Sequence, residues 1–247
     1  MAYDINNKVI LVTGSNRGIG KVILEYFLEQ GAAKVYAAVR NLETVTSLVD
    51  QYGEKVVPLM VDLANDASIY AAAEVAQDVD VVINNAGAFK GGDFFAEDII
   101  QSLEFQMRIN VYGLVNMAKA FAPVLKANGG GVFVQLNSIV SMKSFSNFPA
   151  YCTSKAASYS ITQSLKELLG EQGTRVLSIH PGPIATDMSS AAGFAEIAEP
   201  PSLVPKAIIE ALQGDDFHVF PDSMAKQIGG AYQSFAENVV EATMTEG

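Results

Sequence analysis

Short runs of consecutive apolar residues alternate along the chain with longer segments in which apolar positions recur every three or four residues. The first run, Val9 to Val12, precedes a glycine-rich turn and a helical pattern that begins near Gly18. A short continuous apolar run is typical of a strand buried on both faces, and strands that alternate with helices are typical of β-α-β units. The pattern therefore predicts a parallel sheet. Its strands are expected near residues 8–13, 34–39, 56–61, 80–84, 131–137, 175–180 and 216–220.

The helical segments between these strands complete the predicted fold. They begin near Gly18, Leu42, Asp66, Ala96, Ala150 and Ser202. Several follow a residue type that caps helices, as at Asn41, Asn65 and Ser202. A chain of 247 residues with 49% hydrophobic content can bury such a sheet on both faces without a second domain. We therefore predict a single doubly wound α/β domain over residues 1–247, with about seven strands and its ligands at their carboxyl ends.

A glycine-rich turn follows the first predicted strand. Its sequence is Thr13-Gly14-Ser15-Asn16-Arg17-Gly18-Ile19-Gly20. The glycine spacing is G-x-x-x-G-x-G rather than the G-x-G-x-x-G of the common dinucleotide fingerprint. Such a turn presents backbone N–H groups and a helix N-terminus to a phosphate. We expect Gly14 to Gly20 to bind a cofactor phosphate, although similar turns also occur without a ligand.

Tyr151 and Lys155 lie four residues apart in the segment that begins near Ala150. On a helix this spacing puts both side chains on one face, where the ammonium would lower the pKa of the phenol. A phenol with a lowered pKa is a proton donor near neutral pH, which indicates acid–base catalysis. The same spacing also occurs in exposed helical turns without a function, so the neighbouring motifs decide the interpretation.

Further motifs follow one another in a fixed order. Asn84-Asn85-Ala86-Gly87 ends one predicted strand, Asn110 lies in a long helical stretch, Ser138 ends an apolar run, and His180-Pro181-Gly182-Pro183 closes another strand. With the glycine-rich turn and the Tyr151–Lys155 pair, this ordered set resembles the short-chain dehydrogenase/reductase family. The resemblance extends from about Lys8 to Thr186 and implies a Rossmann-type fold and an oxidoreductase of the carbonyl reductase kind.

The resemblance also implies roles for individual residues. Ser138 would hydrogen-bond the substrate carbonyl, Tyr151 would pass it a proton, and Lys155 would hold the nicotinamide ribose. Asn110 would fix a water in a proton relay, and Thr186 would bind the nicotinamide carboxamide. The other implied cofactor contacts are Asp62 and Leu63 beside the adenine, Asn84, Ala86 and Gly87 along the cleft, and Pro181, Gly182 and Ile184 at the nicotinamide. For Asn84, Asn110 and Ser138 the alternative is local capping or turn bonding, which these residue types often provide.

The residues after the second predicted strand indicate which cofactor is bound. An acidic residue there would bind the ribose hydroxyls of NAD, whereas this chain has Val39 followed by Arg40. Arginine pairs with a 2′-phosphate through two charge-assisted hydrogen bonds, and Arg17 is expected to approach the same group. We therefore predict NADP(H). The alternative is that both arginines are solvated surface charges.

Two loops are expected to cover the substrate. One carries Ile139, Val140, Phe145 and Phe148, and the other, over about residues 188–201, carries Met188, Phe194 and Ile197. This lining suits an apolar or aromatic ketone or aldehyde rather than a sugar or a charged acid. The residues expected to contact the substrate are Ser138, Val140, Phe145, Phe148, Tyr151, Met188 and Phe194. The alternative is that the aromatic side chains simply pack against the domain.

The C-terminal region carries an apolar stripe at Ile228, Tyr232, Phe235 and Val239, which predicts an amphipathic helix over about residues 222–242. We expect this helix to cover either its own domain or a neighbouring subunit. We also expect a homo-oligomer, either a dimer or a tetramer.

Charge and composition narrow the partners. The formal net charge of −11 and the pI near 4.6 disfavour nucleic acid and anionic lipid. The single cysteine, Cys152, excludes an intramolecular disulfide, fits a reducing compartment and is expected to be a packed side chain, and no metal site is expected. No charged and then apolar segment precedes the first strand, and no apolar run approaches the ~18 residues of a spanning helix. We therefore expect a cytoplasmic protein with a small-molecule substrate.

Three functions are consistent with these patterns. The first is an NADPH-dependent oxidoreductase that transfers a hydride between nicotinamide and a carbonyl or secondary alcohol. The second is a dinucleotide-sensing regulator that has lost catalysis, because a fold does not fix a function. The presence of Ser138, Tyr151 and Lys155 argues against it. The third is an epimerase or dehydratase acting on nucleotide sugars, for which the region after Pro181 leaves little room.

Overall fold

A seven-stranded parallel sheet forms the centre of the computed structural model, which describes residues 2–241. The strand order is β3-β2-β1-β4-β5-β6-β7. The strands are β1 (Val9–Thr13), β2 (Lys34–Val39), β3 (Val56–Met60), β4 (Val81–Asn84), β5 (Val132–Leu136), β6 (Arg175–Ile179) and β7 (His218–Val219). The inner strands are almost wholly buried, as expected for a parallel sheet covered on both faces.

Helices cover both faces of the sheet. They are α1 (Gly18–Glu29), α2 (Thr46–Tyr52), α3 (Asp66–Val75), α4 (Ile99–Met107), α5 (Gly113–Ala127), α6 (Pro149–Gly170), α7 (Asp187–Ala191), α8 (Leu203–Gln213) and α9 (Ser223–Phe235). One hydrophobic core lies between the sheet and α1, α2 and α8. The second lies between the sheet and α3, α5 and α6. The predicted doubly wound α/β domain is thus confirmed.

The order of the strands indicates where the ligand crevice lies. The chain builds β1, β2 and β3 outward in one direction and then returns to place β4 on the other side of β1. The crevice of such a sheet lies at the carboxyl ends of the strands, beside the point where the order reverses. The glycine-rich turn follows β1, the Asn84 motif ends β4, and Ser138 follows β5. The predicted site residues therefore share one edge of the sheet.

Some local predictions differ from the structure. Helix α4 begins at Ile99 rather than near Ala96, because Asp93 accepts a hydrogen bond from Phe95 N at 2.7 Å and holds the preceding residues in a turn. Asn41 caps its helical turn by accepting from Glu43 N at 3.0 Å. Asn65 and Ser202 make no side-chain cap bond within the described residues. A π-helical turn, Arg108–Tyr112, joins α4 to α5 and contains Asn110.

Helix α9 occupies most of the segment that the C-terminal apolar stripe predicts to be helical. Asp222 caps it by accepting from Ala225 N at 3.0 Å, and a π-helical turn, Ala236–Val240, follows it. The end of the predicted segment at residue 242 lies outside the described residues. Ile228 and Tyr232 pack against the helix's own domain, whereas Phe235 and Val239 remain about half exposed. Over residues 2–241, no helix is long and apolar enough to cross a membrane.

Candidate active site

The four predicted catalytic residues lie on three neighbouring segments. Ser138 comes directly after β5, Tyr151 and Lys155 share the first turns of α6, and Asn110 lies in the π-helical turn. A Cβ atom built on Gly87 would lie 3.1 Å from Asn110 Oδ1 and 3.8 Å from Lys155 Nζ. The loop after β4 therefore contacts both of these side chains.

Lys155 is buried, and its Nζ donates to the carbonyl oxygen of Leu136 at 2.7 Å. Burial lowers the pKa of its ammonium to about 8. The Nζ lies 5.9 Å from the centre of the Tyr151 ring. Burial raises the pKa of the Tyr151 phenol above its usual value. The predicted lowering of the tyrosine pKa is therefore wrong for this arrangement, in which loss of solvation determines the direction of the shift and the ammonium is bound to Leu136 O.

Asn110 uses its side-chain amide to join three segments. Its Oδ1 accepts from Ala88 N at 2.8 Å, and its Nδ2 donates to Ala88 O and to Ser154 Oγ, both at 2.9 Å. Ser154 Oγ in turn donates to the carbonyl oxygen of Tyr151 at 2.8 Å. The amide is thus fully occupied in tying the β4 loop to α6. Its role in fixing a water stays a prediction.

The hydroxyl of Ser138, at the edge of the sheet, makes two long hydrogen bonds. Its Oγ donates to Pro181 O at 3.2 Å and accepts from Val140 N at 3.3 Å. Both distances are long for a hydroxyl, so the group can turn toward a ligand at little cost. The same contact brings the serine against the loop that follows β6.

The glycine-rich turn has the shape that a dinucleotide needs. Gly14 has a φ of +68°, which favours glycine, and a Cβ on Gly20 would lie only 2.3 Å from Gly14 O. Ser15 Oγ is buried and has no hydrogen-bond partner among the described residues, which is the state expected of a group that a ligand satisfies. The turn also leads directly into α1, whose N-terminus favours a phosphate. These residues therefore fit a dinucleotide cofactor. Two further predicted cofactor residues, Asn16 and Ile19, lie in the same turn.

The two arginines of the predicted 2′-phosphate site differ in their surroundings. Arg17 Nη1 pairs with Asp187 Oδ2 at 2.9 Å, and both side chains are largely exposed. Arg40 is exposed just after β2 and has no ion-pair partner within residues 2–241. Gly18 lies against Thr186, since its Cβ would be 3.3 Å from Thr186 Cγ2. The glycine-rich turn and the start of α7 therefore meet across the crevice.

The remaining residues of the predicted cofactor site lie at or below this edge. Ala86 contacts Gly14, and its N–H donates to Thr13 Oγ1 at 2.9 Å. Asp62 binds Ala64 N within its own turn, and Leu63 is buried against Gly113. Ile184 is buried and pairs with Glu199, while Thr186 caps α7. Their contacts with a cofactor stay predictions.

The family can be identified by comparison with known proteins. A family model described as short chain dehydrogenase matches residues 8–196. A 3alpha-hydroxysteroid dehydrogenase of Mediterraneibacter gnavus is 33% identical over 77% of this chain and 79% of that protein. A probable galactose dehydrogenase of Rhizobium meliloti is 33% identical over 74% of each. The chain belongs to the short-chain dehydrogenase family.

A solved structure of the same family supports this assignment. It is a short chain dehydrogenase from Burkholderia cenocepacia in complex with NADP, with 32% identity and a TM-score of 0.84. The alignment covers 97% of this chain and 100% of the other. As a short-chain dehydrogenase, the chain is an oxidoreductase whose fold binds a nicotinamide dinucleotide.

An aromatic cluster surrounds the tyrosine of this short-chain dehydrogenase. Phe89 packs edge-on against Tyr151 with ring centres 5.2 Å apart, and Phe148 lies 5.8 Å from Phe89. Phe145 stacks on Phe148 at 5.7 Å, and Phe194 meets it edge-on at 6.0 Å. Phe148 and Val140 are buried in this cluster, whereas Met188 and Ile197 are exposed. Buried Cys152 packs in the same cluster.

The sequence patterns missed several residues that shape the site. Phe89 follows the β4 motif, and nothing in its spacing marks it. Asp222 is buried, and its Oδ2 accepts from Gly182 N at 2.7 Å while its Oδ1 caps α9. Asn85 Nδ2 donates to Thr13 O at 2.8 Å and fixes the two loops together. A polar residue next to a recognised motif is the one signal that could have identified Asn85.

A chain of buried hydrogen bonds also runs beneath the site. Asn84 Nδ2 donates to Gln135 Oε1 at 2.7 Å, and Gln135 Nε2 donates to Ser158 Oγ at 3.3 Å. Ser158 Oγ donates to Asn137 Oδ1 at 2.7 Å, and Asn137 Nδ2 donates to Ser178 Oγ at 2.9 Å. This chain connects the ends of β4, β5 and β6 with α6. Its members are distant in sequence, so no local pattern predicts it.

Proposed function

We propose that this short-chain dehydrogenase is an NADPH-dependent reductase of apolar or aromatic ketones and aldehydes. The observation that carries the proposal is the position of Tyr151, near Lys155 and inside a cluster of phenylalanine rings. An ordinary phenol is protonated at neutral pH and burial raises the pKa of Tyr151 further, so the proton that carbonyl reduction consumes is present. The rings of Phe89, Phe145, Phe148 and Phe194 offer a substrate apolar contact and no charge.

The positions of the chain's own residues support the following roles. NADPH, when bound, would supply a hydride to the carbonyl carbon of the substrate, and negative charge would then develop on the carbonyl oxygen. Ser138 Oγ exchanges its long bond to Pro181 O for one to that oxygen, and Tyr151 donates the proton. Lys155 holds positive charge close to the phenol and the nicotinamide ribose. Each donor acts on charge that exists only in the transition state, so it favours turnover over ground-state binding.

The preference for NADPH rests on the end of β2. Arg40 is exposed and has no ion-pair partner in the described part of the chain, and β2 ends on Val39 rather than on an acidic residue. Arg17 is engaged with Asp187, which makes Arg40 the main ligand for a 2′-phosphate. One similar structure was solved with NADP, in accord with this assignment.

The aromatic cluster supports the proposed substrate class, and two relatives indicate the alternatives. One relative is named for a steroid alcohol and the other for galactose. A sugar needs several polar groups to satisfy its hydroxyls, whereas fused or aromatic rings are bound by apolar surface. The four phenylalanines therefore favour a large apolar carbonyl compound over an aldose.

A cofactor-oxidation screen tests the proposal. We would measure NADPH and NADH consumption with steroid ketones, aromatic ketones, aldehydes, quinones and aldoses, using the protein and its Tyr151→Phe variant in parallel. We expect turnover with an apolar ketone or aldehyde and NADPH, and its loss in the variant. Faster turnover of an aldose would contradict the substrate class. Tight NADPH binding with no turnover of any compound would favour the dinucleotide-sensing regulator instead.

A further inference from the structure

His180 is a fully buried histidine directly behind the catalytic serine, at the carboxyl end of β6. Its Nδ1 lies 3.0 Å from Ser141 Oγ and 3.2 Å from the carbonyl oxygen of Ser138. Its Nε2 lies 2.7 Å from Ser178 Oγ. The rings of Tyr159 and Phe220 pack on it with centres 4.9 and 5.4 Å away. Both nitrogens are thus engaged and shielded from water.

The surrounding hydrogen bonds determine which nitrogen of His180 carries the proton. Ser141 Oγ donates its own proton to the carbonyl oxygen of Ser138, so it accepts from Nδ1. A neutral ring that carries its proton on Nδ1 accepts at Nε2, so Ser178 Oγ, which accepts from Asn137 Nδ2, gives its proton to Nε2. His180 is the Nδ1–H tautomer under this pattern. Burial lowers its pKa to about 3, so the ring is neutral at any working pH.

The carbonyl oxygen of Ser138 consequently accepts from several donors. They are Ser141 N at 3.0 Å, Ser141 Oγ, and His180 Nδ1. These bonds fix the peptide that follows Ser138, whereas the serine hydroxyl itself has only two long contacts. The backbone therefore determines where this hydroxyl lies.

We propose that His180 is a positioning residue, which holds Ser138 where its hydroxyl meets the substrate carbonyl. This inference rests on the proposed carbonyl reduction, in which Ser138 donates to that oxygen. Ser178 and Asn137 connect the histidine to Ser158 on α6, one turn beyond Lys155. The bond network thus keeps the serine in register with the helix that carries the tyrosine and the lysine. A displacement of about 1 Å at such a group can cost about 100-fold in rate.

Two substitutions of His180 test the contributions of its two ring nitrogens separately. His180→Asn places a side-chain amide near the position of Nδ1, so it retains a donor toward Ser138 O. His180→Gln places the amide near the position of Nε2, so it retains only the hydrogen bond to Ser178. We expect His180→Gln to lower kcat for ketone reduction by about 10- to 100-fold, with KM for NADPH unchanged. We expect His180→Asn to stay within about threefold of the parent. His218→Gln is the matched control, because His218 bonds Tyr159 and Glu241 rather than Ser138.

The order of the two variants distinguishes positioning from packing. Asparagine fills less of the ring's volume than glutamine, so a role in packing alone would make His180→Asn the worse variant in both melting temperature and rate. The opposite order in kcat supports positioning. Equal rates in the two variants, or a loss that follows the melting temperature, would overturn the proposal.

A measurement without turnover separates this inference from the proposed function. The ¹⁵N shifts of the His180 ring in the full-length protein report its tautomer, and we expect neutral Nδ1–H between about pH 5 and 8. Ser178→Ala removes the donor to Nε2 and should shift the ring toward a mixture of tautomers. A ring protonated on Nε2 in the parent would overturn the positioning role even if ketone reduction is found. The expected tautomer without any reductase activity would instead overturn the proposed function.

Discussion

Burial shifts the pKa values of the two central residues in opposite directions. The phenol of Tyr151 is neutral when protonated, so loss of solvation favours the protonated form and raises its pKa. The ammonium of Lys155 is charged when protonated, so the same loss lowers its pKa to about 8. The site therefore keeps the tyrosine proton available and holds the lysine charge only weakly. The raised pKa makes the phenol a weaker acid, so proton transfer depends on the strongly basic alkoxide that hydride addition creates.

Tyr151→Phe should keep the fold and the binding of NADPH but lose turnover. The phenylalanine ring retains the edge-on packing against Phe89, while the donated proton is absent. General acid catalysis contributes about 10²–10⁴-fold, so we expect kcat to fall by that factor. Steady-state rates and NADPH fluorescence titration check this. Tyr70→Phe is the control, because Tyr70 is an exposed residue of α3. A rate within about threefold of the parent would refute the assignment.

Lys155→Met should make the protein more stable near neutral pH. The unfolded lysine titrates near pH 10.4, so between about pH 8 and 10.4 the unfolded chain binds more protons and stability rises with pH. Below about pH 8 the full cost of the buried ammonium remains, about 3 kcal/mol for this pKa difference. Leu136 O keeps a second donor, Gln135 Nε2 at 3.1 Å, after the substitution.

Urea denaturation at pH 7 and pH 10 measures this effect. We expect the variant to exceed the parent by up to about 3 kcal/mol at pH 7 and by much less at pH 10. Its reductase activity should be largely lost. Lys119→Met, on the exposed side of α5, should stay within about 0.5 kcal/mol at both values. Equal destabilisation by Lys155→Met at the two pH values would show that the ammonium is not a cost to folding.

At the scale of elements, the glycine-rich turn and α7 form the two sides of the predicted cofactor crevice. Gly18 touches Thr186, and Arg17 pairs with Asp187. An exposed ion pair of this kind is worth at most about 1 kcal/mol, so a ligand can displace it at little cost. Arg40, at the end of β2, is outside this contact. We therefore expect the end of β2 to contribute more to the choice of cofactor than this contact does.

Arg40→Asp should shift preference from NADPH toward NADH. The carboxylate repels a 2′-phosphate and accepts from the ribose hydroxyls of NAD. Losing one charge-assisted bond costs roughly 1.5–3 kcal/mol, or about one to two decades in affinity. Adding Arg17→Ser should contribute less, because Arg17 is already paired with Asp187. The ratio of the two KM values measures the shift.

A charge change elsewhere controls for this experiment. Lys126→Asp lies on the last turn of α5, away from the carboxyl ends of the strands, and alters the net charge equally. It should leave the ratio of KM values unchanged. If Arg40→Asp with Arg17→Ser also leaves that ratio unchanged, neither arginine selects the cofactor.

At the scale of the whole molecule, the sequence predicts the sheet better than the contacts at its edge. Continuous apolar runs such as Val81 to Ile83 locate the strands, because burial on both faces leaves them no polar position. The π-helical turn around Asn110 has no such signature, since it changes the direction of side chains without changing the apolar pattern. The pKa of Tyr151 depended on burial, which spacing alone does not give.

The C-terminal helix also shows that the sequence predicts an element better than its contacts. Its apolar stripe predicts a helix but not its partner, and the structure packs Met224 and Ile228 against the aromatic cluster beside Tyr151. Tyr232 hydrogen-bonds Tyr159 on α6 at 3.2 Å. Asp222 links the first turn of the helix to Gly182. The helix is therefore one wall of the predicted substrate site, so displacing it should alter both stability and activity.

Two adjacent glycines of α9 allow this packing to be tested without removing the helix. A Cβ on Gly229 would lie 2.4 Å from a ring carbon of Phe220, whereas a Cβ on Gly230 meets nothing within 4 Å. Gly229→Ala should therefore push the helix away and destabilise the protein by about 1–3 kcal/mol. Gly230→Ala should stabilise it by about 0.5–1 kcal/mol, because alanine suits a helix interior better.

Three measurements test the contribution of α9: thermal melts, ketone reduction and size-exclusion chromatography. Each is made on both variants and on a chain that ends at Asp222. We expect Gly229→Ala and the truncated chain to melt lower and to reduce ketones more slowly, with Gly230→Ala at or above the parent. The reason is that Met224, Ile228 and Phe220 pack in the cluster that surrounds Tyr151. A truncated chain with unchanged melting temperature, mass and activity would show that α9 supports neither the fold nor the site. A fall in mass alone would show that its exposed Phe235 and Val239 join two subunits.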